Sequence, residues 1–147
     1  MEIYGVDIIS LTFKAVHALM AAAWLILDFV VFWLHFKIKN PGAPLEERIE
    51  RARIMHGLDT VVAYIFILML PSGIILSFVT GAELFTTGWL SWKHILYGII
   101  ILDAFYLLPI SGTALRNLNA IKKGGNPELL NKEIIDSMNK AMPAVWL

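Results

Sequence analysis

The sequence predicts an all-α integral membrane protein: a helical bundle with three complete transmembrane helices and the start of a fourth. The 147-residue chain is 58% hydrophobic and 16% charged, with a mean hydropathy of +0.68, whereas a soluble domain is usually about 45–50% apolar. The apolar residues also form runs of about 20 or more, the length of helix that crosses a hydrocarbon core of about 30 Å. A chain of this size has room for one bundle, so residues 1–147 are expected to form a single domain.

Composition excludes several classes of function. The formal net charge is zero and no basic tail is present, so nucleic acid is not an expected partner. The chain has no cysteine, which excludes disulfides, thiolate zinc sites, iron–sulfur clusters and covalent haem attachment through C-x-x-C-H. Any metal or cofactor is therefore held by histidine, methionine, carboxylate or backbone groups.

The spans follow in order along the chain. The first covers about residues 8–36, the second 58–79 and the third 89–110. The opening stretch has acids before its first base and no small-residue cleavage site, so we expect the first helix to be retained. Asn-Pro-Gly and Ala-Pro steps then break the chain before a short charged helix, and the linker TGAELFTTG is short enough to make the second and third spans antiparallel. Pro71 is expected to kink the second span.

The segment after the third span is polar and interrupted by glycine and proline. RNLNAIKKGGNPELLNKEIIDSMNK is predicted to form a loop followed by an amphipathic helix that cannot cross the membrane. The apolar ending AMPAVWL is typical of the entrance to a fourth span beginning near residue 142. Either the natural chain continues, or a partner supplies the missing helix.

The distribution of basic residues predicts the orientation. Of the twelve lysines and arginines, ten lie in the loop after the first span or beyond the third. Because such residues favour the cytoplasmic side, the N-terminus is expected to face outward, in a bacterial or archaeal cytoplasmic membrane. Only Lys14 and Lys93 lie near the opposite face.

Polar side chains share one face of the first span. At 100° per residue, His17, Trp24, Asp28 and His35 fall within about 20° of one line. Ionisable groups inside a span normally face the bundle interior, so each is a functional candidate. Asp28 is expected either to pair with a buried base or to relay protons.

The four histidines sort into two candidate pairs. His94 lies at a depth similar to that of His17, near the outer face, whereas His56 is level with His35, about 27 Å further along at 1.5 Å per residue. Neutral imidazoles on neighbouring helices are the usual axial ligands of membrane b-type haem. His17 and His94 are thus the predicted metal ligands. The alternatives for the inner pair are ligation of a second haem and contact with lipid headgroups.

Short motifs resemble a known family. FKAVHALMAAAW in the first span, the second span that begins with His56, and GWLSWKHIL opening the third resemble the four-helix bacterial membrane proteins that include the HemJ-type protoporphyrinogen oxidases and related haem-binding proteins. The resemblance implies that His17 is associated with b-type haem and that Lys93 is important for activity. The family oxidase has a Tyr-Leu-Pro-Arg-like segment about ten residues after the histidine, where this chain has LILDF.

These observations rank the candidate functions. The first is a cytochrome b-like subunit that holds haem b noncovalently and passes electrons, with other membrane subunits or further copies of the chain as partners. The second is a HemJ-type protoporphyrinogen oxidase. A copper-handling membrane protein comes next, because Met20 lies one turn from His17 and thioether and imidazole groups suit Cu(I). A structural subunit without a cofactor is the remaining alternative.

Overall fold

The structure, a computed structural model, describes residues 2–3, 6–82 and 88–145. Within these ranges four helices form a bundle, which confirms the all-α prediction. A short antiparallel pairing precedes them, with Glu2 opposite Asp7 and Ile3 opposite Val6. The elements are β1 (Glu2–Ile3), β2 (Val6–Asp7), α1 (Ile8–Lys39), α2 (Leu45–Thr80), α3 (Gly88–Lys122) and α4 (Pro127–Val145). Among the described residues, α1, α2 and α3 are long and apolar enough to cross a membrane.

Helix α1 has the ends that its sequence predicts. The carboxylate of Asp7 accepts a hydrogen bond from the backbone N–H of Ile9 at 3.1 Å, which satisfies one of the unpaired donors of the first turn. Helix α1 ends at Lys39, just before the Asn-Pro-Gly step, and the Asn40 side chain accepts from the N–H of Gly42 at 3.0 Å. This first span agrees closely with the predicted range.

Helix α2 begins at Leu45, so the short charged helix predicted before residue 58 and the second span form one continuous helix. The charged segment LEERIERAR is continuous with the apolar span because its charges pair within the helix, Arg51 with Glu47 and Arg53 with Glu50. The helix also continues through Pro71 to Thr80. It ends where Gly81 adopts a left-handed conformation at φ 66°, which glycine accepts without steric cost.

The predicted loop after the third span is wrong in its first part. Helix α3 continues to Lys122, so RNLNAIK is helical and the turn begins at Lys123, just before the glycine pair. Asn126 precedes α4 and caps its first turn, because its side-chain oxygen accepts hydrogen bonds from the N–H groups of Glu128 and Leu129. Helix α4 extends to Val145 and therefore includes most of the predicted entrance to a fourth span, whereas residues 146–147 lie outside the described part.

The apolar core lies at one end of the bundle, which we call the α4 end. There the last turns of α1, the first turns of α2 and the last turns of α3 pack around α4, and Ile38, Met55, Leu118, Ile134 and Met138 are fully buried. The distal end is the opposite one, where α1 begins and α2 ends. The exterior of the three long helices carries large exposed apolar side chains such as Phe29, Phe78 and Leu102, as expected for contact with lipid.

Arg48 connects three helices at the α4 end through hydrogen bonds. Its side chain is 2% exposed, and its Nε donates to the carbonyl of Ile38 at 2.9 Å. One terminal nitrogen donates to the side chain of Asn131 at 2.8 Å. A single guanidinium thus joins the end of α1, the start of α2 and α4.

Packing leaves a gap between α1 and α3. In the described ranges α1 packs along α2, α2 along α3, and α4 against both α3 and α1, whereas α1 and α3 share no extended contact. The space between these two helices is therefore where the functional side chains have room to face one another.

Candidate functional site

A cavity of about 250 Å³ occupies this space toward the α4 end. Three helices line it: α1 contributes Trp24, Leu25, Asp28, Val31 and His35; α2 contributes Asp59, Val62, Ala63 and Phe66; and α3 contributes Ile100, Asp103, Ala104, Leu107, Leu108 and Ser111. Of the four residues predicted to share one inward face of the first span, Trp24, Asp28 and His35 line this cavity, whereas His17 does not. Most of the wall is apolar, so its few polar groups determine its chemistry.

His17 lies nearer the distal end, between α1 and α2. Its Nδ1 is 2.8 Å from the hydroxyl oxygen of Ser72, and that hydroxyl in turn donates to the carbonyl of Met69 at 2.8 Å. Because a hydroxyl has one proton to give, Ser72 accepts from the N–H at Nδ1 of His17. The neutral ring then carries no proton on Nε2, which is the form in which histidine binds a metal.

His94 is held in the same tautomer by its own helix. Its Nδ1 lies 2.8 Å from the carbonyl oxygen of Leu90, one turn earlier on α3. A carbonyl can only accept, so Nδ1 is the donor and Nε2 of the neutral ring is unprotonated. Anchoring of one ring nitrogen on a fixed acceptor is the usual support for a histidine whose other nitrogen is a ligand.

The structure does not join His17 and His94 by a hydrogen bond within the described residues. His17 is bonded to α2 and His94 to α3, and both side chains are half-buried. They lie on the two helices that flank the gap. Whether they form an axial pair, as predicted, stays a prediction.

An aromatic layer separates these two histidines from the cavity carboxylates. Phe66 of α2 stacks on Tyr97 of α3 with ring centroids 4.4 Å apart, and Trp24 of α1 approaches Phe66 at 5.7 Å. The Tyr97 hydroxyl donates to the carbonyl of Phe66 at 2.5 Å, which fixes the stack. Tyr97 is therefore turned toward α2, whereas Phe105, further along α3, is 75% exposed on the outside of the bundle.

The structure bears on the alternative that the inner histidines, His35 and His56, contact lipid headgroups. His35 is only 5% exposed, because α4 covers it, and neither ring nitrogen makes a hydrogen bond of normal geometry. Contact of His35 with lipid headgroups is therefore wrong. His56 is partly buried, with its Nδ1 3.1 Å from the hydroxyl of Ser111 on α3. Both residues lie at the α4 end, but a second haem between them stays a prediction.

Three aspartates dominate the cavity, one from each spanning helix: Asp28, Asp59 and Asp103. The sequence reasoning singled out Asp28 alone, although the other two also lie inside predicted spans, which was the signal that could have found them. No lysine or arginine lines the cavity, so the expectation that Asp28 pairs with a buried base is wrong for the described residues.

Lys93, at the distal end, lies outside the cavity and next to a tryptophan. Nζ of Lys93 lies 4.6 Å from the centroid of the Trp89 ring, a cation–π contact at the start of α3. Both residues are exposed. This arrangement is typical of a lysine that extends toward the membrane surface beside an interfacial tryptophan.

The described residues contain no group of three or more histidine, cysteine, aspartate or glutamate side chains arranged to hold a metal ion. An axial haem pair comprises two side chains, so this finding concerns metal ions bound by the protein alone. No protein-family model, curated protein or solved structure matches this chain.

Proposed function

We propose that this protein is a haem b-binding membrane subunit that transfers electrons, with His17 and His94 as the axial ligands. The observation that supports it best is the hydrogen bonding of the two distal histidines: Nδ1 of each ring lies 2.8 Å from an oxygen of the bundle, which assigns the proton of each neutral ring to Nδ1 and its lone pair to Nε2. Bound haem would supply the one-electron chemistry.

The remaining residues would position the group and exclude water. Ser72 orients the His17 ring, and Gly73 leaves it room, since a Cβ at that position would lie 3.4 Å from Cε1 of His17. The stacked rings of Phe66 and Tyr97 form an apolar floor between the histidines and the cavity. The donor chemistry thus fits two imidazole ligands, on helices that flank a gap.

Integral membrane insertion rests on the three apolar helices. We further propose that the protein lies in the cytoplasmic membrane of a bacterium or archaeon and that its distal end faces outward. We also propose that another membrane subunit is its redox partner. The gap between α1 and α3 runs along the outside of a three-span bundle, which favours a neighbouring membrane helix as its cover.

The test is a visible spectrum of the purified protein, reduced minus oxidised, after incubation with haemin. Sharp α and Soret bands of a low-spin haem are expected. Replacing either His17 or His94 by alanine should abolish or convert that spectrum, whereas His56→Ala, the matched control at the α4 end, should keep it. Full haem content and an unchanged low-spin spectrum in His17→Ala would contradict the proposal. Porphyrin fluorescence on incubation with protoporphyrinogen would instead indicate the oxidase.

A further inference from the structure

The cavity toward the α4 end is lined by carboxylate side chains and by no lysine or arginine. Asp28, Asp59 and Asp103 line it from three helices, and no described salt bridge involves any of them. Moving a carboxylate from water into a membrane interior is costly unless a positive charge compensates it. No lysine or arginine is in the lining, so a positively charged occupant would supply the compensation that the walls lack.

His35 independently indicates an occupant. It lines the same cavity and is 5% exposed; the Met138 backbone lies beside its ring, but neither ring nitrogen makes a hydrogen bond of normal geometry. Buried polar atoms in proteins almost always have a partner, so an imidazole of this kind is typical of a site that a ligand completes. A neutral imidazole can accept one hydrogen bond from a hydroxyl or N–H group.

The shape and walls of the cavity select the kind of cation. The carboxylates do not converge into a group that could hold a metal ion among the described residues, and about 250 Å³ is far more than one bare ion fills. Trp24 and Phe66 form part of the wall, and the electron-rich face of an aromatic ring attracts organic cations. Carboxylates spread around an aromatic wall suit a bulky, weakly hydrated organic cation.

We propose that this cavity binds a small organic cation of the substituted-ammonium class. Its charged nitrogen lies among the three aspartates and against Trp24, and a hydroxyl or N–H group of the ligand donates to His35. This site is distinct from the distal histidines, lies beyond the aromatic layer, and gives His35 a role other than ligation of a second haem.

The test uses choline and its neutral isostere 3,3-dimethyl-1-butanol, titrated calorimetrically into the purified full chain in a neutral detergent. Choline has no lone pair on nitrogen and cannot ligate iron, so its binding is independent of the haem proposal. Choline is expected to bind at least about tenfold more tightly than the isostere. Asp28→Asn and Asp103→Asn should each weaken choline binding by about tenfold or more, since each removes a negative charge that attracts the quaternary ammonium group.

Asp136→Asn is the matched control, because Asp136 is an exposed carboxylate on α4, outside the cavity. It should bind choline as the parent does. Equal affinity for choline and the isostere, or unchanged binding in the Asp28→Asn and Asp103→Asn proteins, would overturn the proposal. Absence of choline binding combined with a proton flux through proteoliposomes that these variants abolish would overturn it too, in favour of proton passage.

Discussion

The hydroxyl of Ser72 on α2 lies 2.8 Å from Nδ1 of His17 on α1, and it accepts the ring proton because its own proton goes to Met69. This contact joins two spanning helices and sets the tautomer of the histidine. If the ring is a haem ligand, removal of its support should weaken the bond to iron. Ser72→Ala is therefore expected to lower haem affinity by about 10–100-fold, as loss of such a support typically does.

Haem titration followed at the Soret band measures this effect. Thr80→Ala is the control, because Thr80 is an exposed residue of the same helix that bonds only to backbone oxygens of its own helix. An affinity in Ser72→Ala equal to that of the control would show that Ser72 does not support a ligand.

A second prediction concerns the space beside His17. A Cβ at Gly73 would lie 3.4 Å from Cε1 of His17, an ordinary contact, so Gly73→Ala should leave haem binding nearly unchanged. The branched side chain of Gly73→Val should displace the ring and lower the low-spin content. Gly57→Val is the matched control on α2, since nothing lies within 4 Å of a Cβ there. Equal spectra for the two valine variants would count against this placement of His17.

The third prediction concerns stability. Arg48 is buried and donates to Ile38 and Asn131, so Arg48→Met should lower the free energy of unfolding by about 2 kcal/mol, the range for a hydrogen bond from a charged group. Arg53→Met, at an exposed residue of the same helix, should change it little. Thermal unfolding in detergent compares them, and an equal loss in both variants would refute the role given to Arg48.

Orientation gives the fourth prediction. Because ten of twelve basic residues lie on one side of the spans, the turn between α1 and α2 should be cytoplasmic. The chain has no cysteine and Gly42 is exposed, so Gly42→Cys provides a single label site. An impermeant thiol reagent should leave it unmodified in intact cells and modify it after permeabilisation. Labelling from outside intact cells would reverse the topology.

Sequence periodicity was sufficient for the fold class and the three spans, because apolar runs long enough to cross a membrane have few alternative structures. It failed at the ends of α2 and α3. The charged stretch before residue 58 was predicted as a separate short helix but is continuous with the second span, and the segment after the third span was predicted as a loop but first continues α3 to Lys122. These two helix ends meet at the α4 end, where Lys122 pairs with Glu46. Periodicity describes one helix at a time and does not show which ends pack together.

The sequence also predicted only part of the candidate site. The inward stripe of the first span follows from its spacing alone, and Asp28 was found by it. Asp59 and Asp103 join Asp28 only through the packing of three helices, which a single sequence does not specify. Likewise, the burial of His35 depends on α4, a helix that begins about 90 residues later in the chain.

The most direct test of the haem proposal is chemical rescue at His17. His17→Gly removes the imidazole and leaves a space beside iron that free imidazole can occupy. The account predicts that His17→Gly protein with haemin loses the low-spin reduced-minus-oxidised spectrum, and that added imidazole restores it. A low-spin spectrum in His17→Gly that matches the parent without imidazole would contradict ligation by His17.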